Sequence, residues 1–67
     1  MNWNLTEAVD WYKKQGAPGD QNALLNLLRE VQEEFGTIPQ GLLPEIGLQL
    51  GVKESFLLAM IRRQPRL

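Results

Sequence analysis

Three glycine-marked breaks cut this chain into short segments, and that limits what it can fold into more than any other feature. Gly16-Ala17-Pro18-Gly19 ends the first segment, Gly36 the second and Gly51 the third. Glycine just past a helix end takes a positive φ without steric cost, so each break reads as a helix cap. Between the breaks apolar residues recur at helical spacing, and no five residues alternate with period two. The expected fold is therefore all-α. It is a small bundle of four short helices in a single domain spanning residues 1–67, with a helix-turn-helix-like last pair.

Helix one is expected from Leu5 to Gln15, with Asn4 as N-cap and Glu7 completing a capping-box pattern. Trp3 is placed to staple onto Ala8, and Leu5, Ala8, Val9 and Tyr12 make the inner stripe. Trp11 lies off that stripe and either covers an edge of the core or faces a partner; edge packing is the expectation. Helix two is expected from Gln21 to Phe35 behind the N-cap Asp20. Its inner face carries Leu24, Leu27, Leu28, Val31 and Phe35, and its outer face Arg29, Glu30, Glu33 and Glu34.

Pro44 constrains helix three, because an interior proline removes a hydrogen bond and clashes with the preceding turn. A late start near Leu43 resolves this, with Pro44 in the first turn and Pro39–Leu42 a loose turn ahead of it. Leu43, Ile46 and Leu50 then face inward, and Gly47 permits close approach of another helix. Helix four is expected from Glu54 to Arg63, stopped by Pro65. Leu57, Met60 and Ile61 lie inside, Phe56 flanks them, and Leu58 is on the outer side.

The absence of Cys and His removes thiolate chemistry, the usual metal ligands and the usual neutral-pH base. Glu33 and Glu34 are sequence neighbours, about 100° apart on a helix, and cannot share a proton. Ser55, Thr6 and Thr37 have no base to activate them and sit where hydroxyls often cap helices. No phosphate-loop pattern follows Gly16 or Gly19. The chain alone is expected not to be an enzyme and to hold no cofactor, with no catalytic, cofactor-binding or metal residue. It lacks a signal peptide pattern and any apolar run near the ~20 residues of a membrane span, so a cytoplasmic location without membrane insertion is expected.

Residues 46–63 raise a DNA-binding alternative, since Ile46, Gly47, Leu50, Gly51, Val52, Leu57 and Met60 fit a helix-turn-helix. Those residues report packing, whereas base readout needs polar groups at the start of the second helix. There the outward positions are Lys53, Glu54, Ser55, Leu58 and Ala59, a poor set for base edges. Residues 1–52 carry three basic and seven acidic side chains, which opposes the phosphate term that dominates such binding. Nucleic acid is therefore not an expected partner. Residues 53–67 reverse the balance with Lys53, Arg62, Arg63 and Arg66 against Glu54. That end either meets an anionic partner or simply complements a helix dipole.

A more specific pattern lies in residues 29–52, "REVQEEFGTIPQGLLPEIGLQLGV". Gln32, Glu33, Phe35 and Gly36, then Ile38 and Pro39, then Leu50, Gly51 and Val52, resemble the N-terminal helical region of a known family. That family is the thioredoxin-like 2Fe-2S ferredoxin subunit of NADH:quinone oxidoreductase, the NADH dehydrogenase known as complex I. The same region occurs in related NAD-linked hydrogenases and formate dehydrogenases. The resemblance covers roughly residues 12–67 and is one of helix ends, not of catalytic side chains. It implies a non-catalytic scaffold or docking module in an NADH-linked oxidoreductase. The 2Fe-2S cluster would sit in a following ferredoxin domain, and FMN and NAD in a flavin-bearing, NADH-oxidising partner subunit. Where many relatives have a Thr-Phe-Tyr stretch, this chain has Arg62-Arg63-Gln64. The chain is expected to be either the N-terminal part of such a ferredoxin protein or a gene product reduced to it. Candidate partner contacts are Trp11, Leu58, Arg62, Arg63 and Arg66. A free-standing interaction domain without redox connection is the remaining alternative.

Overall fold

The computed structural model describes residues 3–64. Four α-helices follow one another: α1 (Leu5–Lys14), α2 (Gln21–Phe35), α3 (Leu43–Leu50) and α4 (Glu54–Arg62). A 3₁₀ turn at Gln40–Leu42 leads directly into α3. No strand occurs among the described residues.

Each boundary has a local cause. The Asn4 side chain accepts from the Glu7 N–H and starts α1. The Asp20 carboxylate accepts from the N–H groups of Asn22 and Ala23 and starts α2. Both caps satisfy amides that have no partner inside the helix. Gly36 and Gly51 close α2 and α3 in the left-handed conformation, at φ 76° and 78°. Pro44 sits in the first turn of α3, where its missing N–H costs nothing. The hydroxyls do not cap: α4 starts behind Lys53 with no side-chain cap, although Ser55 is near.

The core gathers Val9, Leu24, Leu27, Leu28, Val31, Leu43, Ile46 and Leu57 at no more than 1% exposure, with Leu50 and Met60 close behind. Helix α1 packs against α2 and α3, and α3 against α4. The α1–α2 link rests on this core through buried Ala17, whose N–H returns to the Tyr12 carbonyl.

Two side chains of α2 depart from expectation. Phe35 is 49% exposed instead of buried. Trp3, at the start of α1, meets it edge-on at 5.7 Å, so α1 and α2 run antiparallel. At 1.5 Å per residue the 15-residue α2 outruns the 10-residue α1, so Trp3, ahead of α1, is what meets Phe35 at its end. Trp3 is accordingly drawn toward α2, where its indole N–H also reaches Glu30. Glu30 is half-buried and turned toward α1, not solvated on the outer face with Arg29, Glu33 and Glu34. Leu58 is half-buried, in keeping with the partial exposure expected of its outer position, and the most exposed of the described large hydrophobic side chains is Leu48 on α3, at 78%.

Candidate docking surface

Most residues of the Gln32-to-Gly51 pattern serve the fold. Leu50 is buried, Ile38 packs half-buried against the core, and Gln32 and Pro39 are half-buried. Gly36 and Gly51 are the left-handed caps, while Glu33 and Phe35 are exposed. The pattern therefore reads as a framework of helix ends.

The candidate contact residues do not converge. Trp11 lies on α1, whose main neighbours are α2 and α3, whereas Leu58, Arg62 and Arg63 belong to α4 and its cap, against α3. Arg62 and Arg63 are exposed at the helix end, where a positive charge complements the terminal carbonyls. Arg66, like Pro65, lies outside the described residues.

Trp11 does occupy a distinctive surface. It is 55% exposed, so it is not an edge-packing residue. Its indole and the Tyr12 ring make a T-shaped pair, with centroids 4.9 Å apart and planes at 79°. A shallow cleft of about 290 Å³ opens on one flank, lined by Ala8, Trp11, Tyr12 and Glu30. A second, of about 240 Å³, opens on the other, where Asp20, Asn22 and Asn26 of the α2 start face Gln15. Helical spacing aligns Asn22, Asn26 and Glu30 along one stripe of α2.

Glu30 organises this surface. One carboxylate oxygen accepts from the Trp3 indole N–H at 2.8 Å, and the other from the Tyr12 hydroxyl at 3.0 Å. Burial raises the Tyr12 pKa above its ordinary 10.0, and the Glu30 hydrogen bond and the charges of Glu30 and Glu33 raise it further. The fold thus favours the neutral phenol. That contribution to stability is complete below the free tyrosine value near 10 and is lost as pH rises through the higher folded value. Tyr12 is the chain's single tyrosine, so tyrosinate absorbance reports it alone. The titration midpoint is expected above 10, and Glu30→Gln should lower it. A wild-type midpoint at or below 10 would contradict the Tyr12–Glu30 contact.

Sequence reasoning missed Glu30 because its immediate neighbours on the helix surface are mixed; only the position of α1 turns it inward. The signal that could have found it was Trp3 and Tyr12, two aromatics with polar tips that seek a buried acceptor. Among the described residues, no three His, Cys, Asp or Glu side chains are grouped to hold a metal ion. No described helix is long and apolar enough to cross a membrane. Compared with protein-family models, curated proteins and solved structures, the chain matches none.

Proposed function

We propose that this chain is a non-catalytic helical scaffold and docking module of an NADH-dependent iron–sulfur oxidoreductase, acting in the cytoplasm. Its role is to hold a 2Fe-2S ferredoxin domain against a flavin-bearing, NADH-oxidising subunit. The observation that carries this reading is the residue pattern Gln32-Glu33-x-Phe35-Gly36-x-Ile38-Pro39, followed by Leu50-Gly51. Its two glycines occupy left-handed helix caps, consistent with a pattern that encodes a helical frame.

The chain itself does not fit the cluster. It has neither Cys nor His, and its described acidic side chains form no metal-holding group. No electron-transfer step is therefore assigned to its residues; what it contributes is shape and surface.

Size-exclusion chromatography of the 67-residue chain mixed with the flavin-bearing subunit of the same genome tests the proposal. A stoichiometric complex at micromolar concentrations is the expected result. Separate elution at concentrations of tens of micromolar refutes it. A duplex-DNA titration run in parallel separates the rival reading. Amide shifts confined to residues 53–63 that fade with salt would assign the chain to DNA instead.

A further inference from the structure

We propose that the Trp11–Tyr12–Glu30 cleft is a receptor for an arginine side chain carried on a basic segment of a partner protein. The cleft combines the two groups a guanidinium recognises, an aromatic face and a carboxylate. Trp11 is more than half exposed, and tryptophan is the strongest cation–π platform among the side chains. Its T-shaped contact with Tyr12 supports the ring on one side.

Glu30 supplies the charge. Among the described residues both donors to its carboxylate are neutral, the Trp3 indole and the Tyr12 hydroxyl. No lysine or arginine among them bonds to it. Lys13 is turned away, its ammonium donating to the Gln49 carbonyl on α3. A carboxylate has about four lone-pair directions, and two are in use here, so a guanidinium still finds acceptors. Glu33 adds to the negative potential at Tyr12.

The second cleft, across Trp11, determines what carries the arginine. Asp20, Asn22 and Asn26 line it; the two asparagine amides both donate to and accept from a peptide backbone, whereas the Asp20 carboxylate only accepts. A peptide lying over Trp11 would place its cationic side chain at Glu30 and its main chain along these amides. The charge of the surface selects a basic segment, since α2 carries three glutamates and a single arginine. This inference deepens the docking reading by naming the partner's chemistry. It rests on that reading only in taking the domain to bind another protein.

The test is an ¹⁵N NMR titration of the 67-residue chain with acetyl-Gly-Arg-Gly-amide. The matched peptide, with neutral citrulline in place of arginine, is run beside it. Arginine peptide is expected to shift the Trp11 indole N–H and the amides of Tyr12 and Asn26. Citrulline peptide should bind about three- to tenfold more weakly, as for loss of one exposed ion pair with its aromatic contact. Glu30→Gln and Trp11→Ala should each weaken the arginine response to a similar degree. Trp11→Ala removes an exposed side chain, so it tests the cleft even if Glu30→Gln disturbs the Trp3 and Tyr12 contacts. Equal response to both peptides, or a response untouched by Trp11→Ala, overturns the proposal. Self-association of the chain abolished by Trp11→Ala also overturns it, by making the occupant a second copy. An arginine-specific response without complex formation with the flavin-bearing protein keeps the cleft and discards the family assignment. A complex with the flavin-bearing protein that ignores both variants does the reverse.

Discussion

Leu27→Ala should remove a large share of this domain's stability. Leu27 is fully buried, at 0% exposure, on the face of α2 that the rest of the core packs around. Truncating a buried leucine costs about 2.7–5 kcal/mol, because the lost transfer energy is compounded by the cavity left behind. A chain of this size has only about 3–10 kcal/mol to lose, at roughly 0.05–0.15 kcal/mol per residue. The mutant should therefore unfold at a much lower urea midpoint than the parent, followed by circular dichroism. Leu48→Ala is the control. Leu48 is 78% exposed on α3, and its truncation should change stability by no more than about 0.5 kcal/mol. If the two variants shift the urea midpoint equally, the assigned core is wrong.

Gly47→Ala should lower the melting temperature, against the usual gain from replacing a helical glycine. Alanine is favoured over glycine inside a helix by about 1 kcal/mol, so propensity alone predicts stabilisation. Here the added methyl would lie 2.6 Å from the carbonyl oxygen of Val52 and 3.6 Å from the N–H nitrogen of Glu54. Both are backbone atoms, and the turn that carries them is pinned. The Gly47 carbonyl accepts from Gly51 N–H at 2.8 Å and Val52 N–H at 2.9 Å. Relief of the clash therefore requires moving α4 as a unit, pulling Leu57 and Met60 out of the core. Overpacking of this kind costs about 1–3 kcal/mol, and each net kcal/mol is worth about 4–8 °C in a domain this small. Gly41 offers the comparison, since a methyl there meets nothing within 4 Å and its φ is not positive. Differential scanning calorimetry should find Gly41→Ala close to the parent and Gly47→Ala well below it. A Gly47→Ala protein as stable as the parent would mean that α3 and α4 do not approach as described.

The helix boundaries were legible in the residues themselves. Asn4 and Asp20 cap, Gly36 and Gly51 terminate, and Pro44 admits α3 only from Leu43 onward. Each signal is local, acting within one turn of backbone, so no knowledge of the rest of the fold is needed to read it. The inner stripe of α2 was equally legible, because Leu24, Leu27, Leu28 and Val31 fall on one face whatever packs against it. Gly47 was readable as a point of close approach of another helix: the turn carbonyl of Val52 comes nearest, followed by Glu54 N and Leu57 Cδ1 of α4.

The candidate site was much less legible. Of the contact residues expected from the sequence, Trp11 lies on the acidic cleft, Leu58 is partly withdrawn into the core, and Arg62 and Arg63 stand apart at the end of α4. Helical spacing tells which residues share a face of one helix. It does not tell how far a neighbouring helix extends along that face. That reach leaves Phe35 half exposed at the end of α2 and brings Glu30 under Trp3 and Tyr12. By itself, then, the sequence determined four helices, their ends and their principal inner faces, because capping and periodicity are properties of a single segment. Only the tertiary structure decided which polar and aromatic side chains line a common cleft, because that depends on the relative length and placement of segments far apart in the chain.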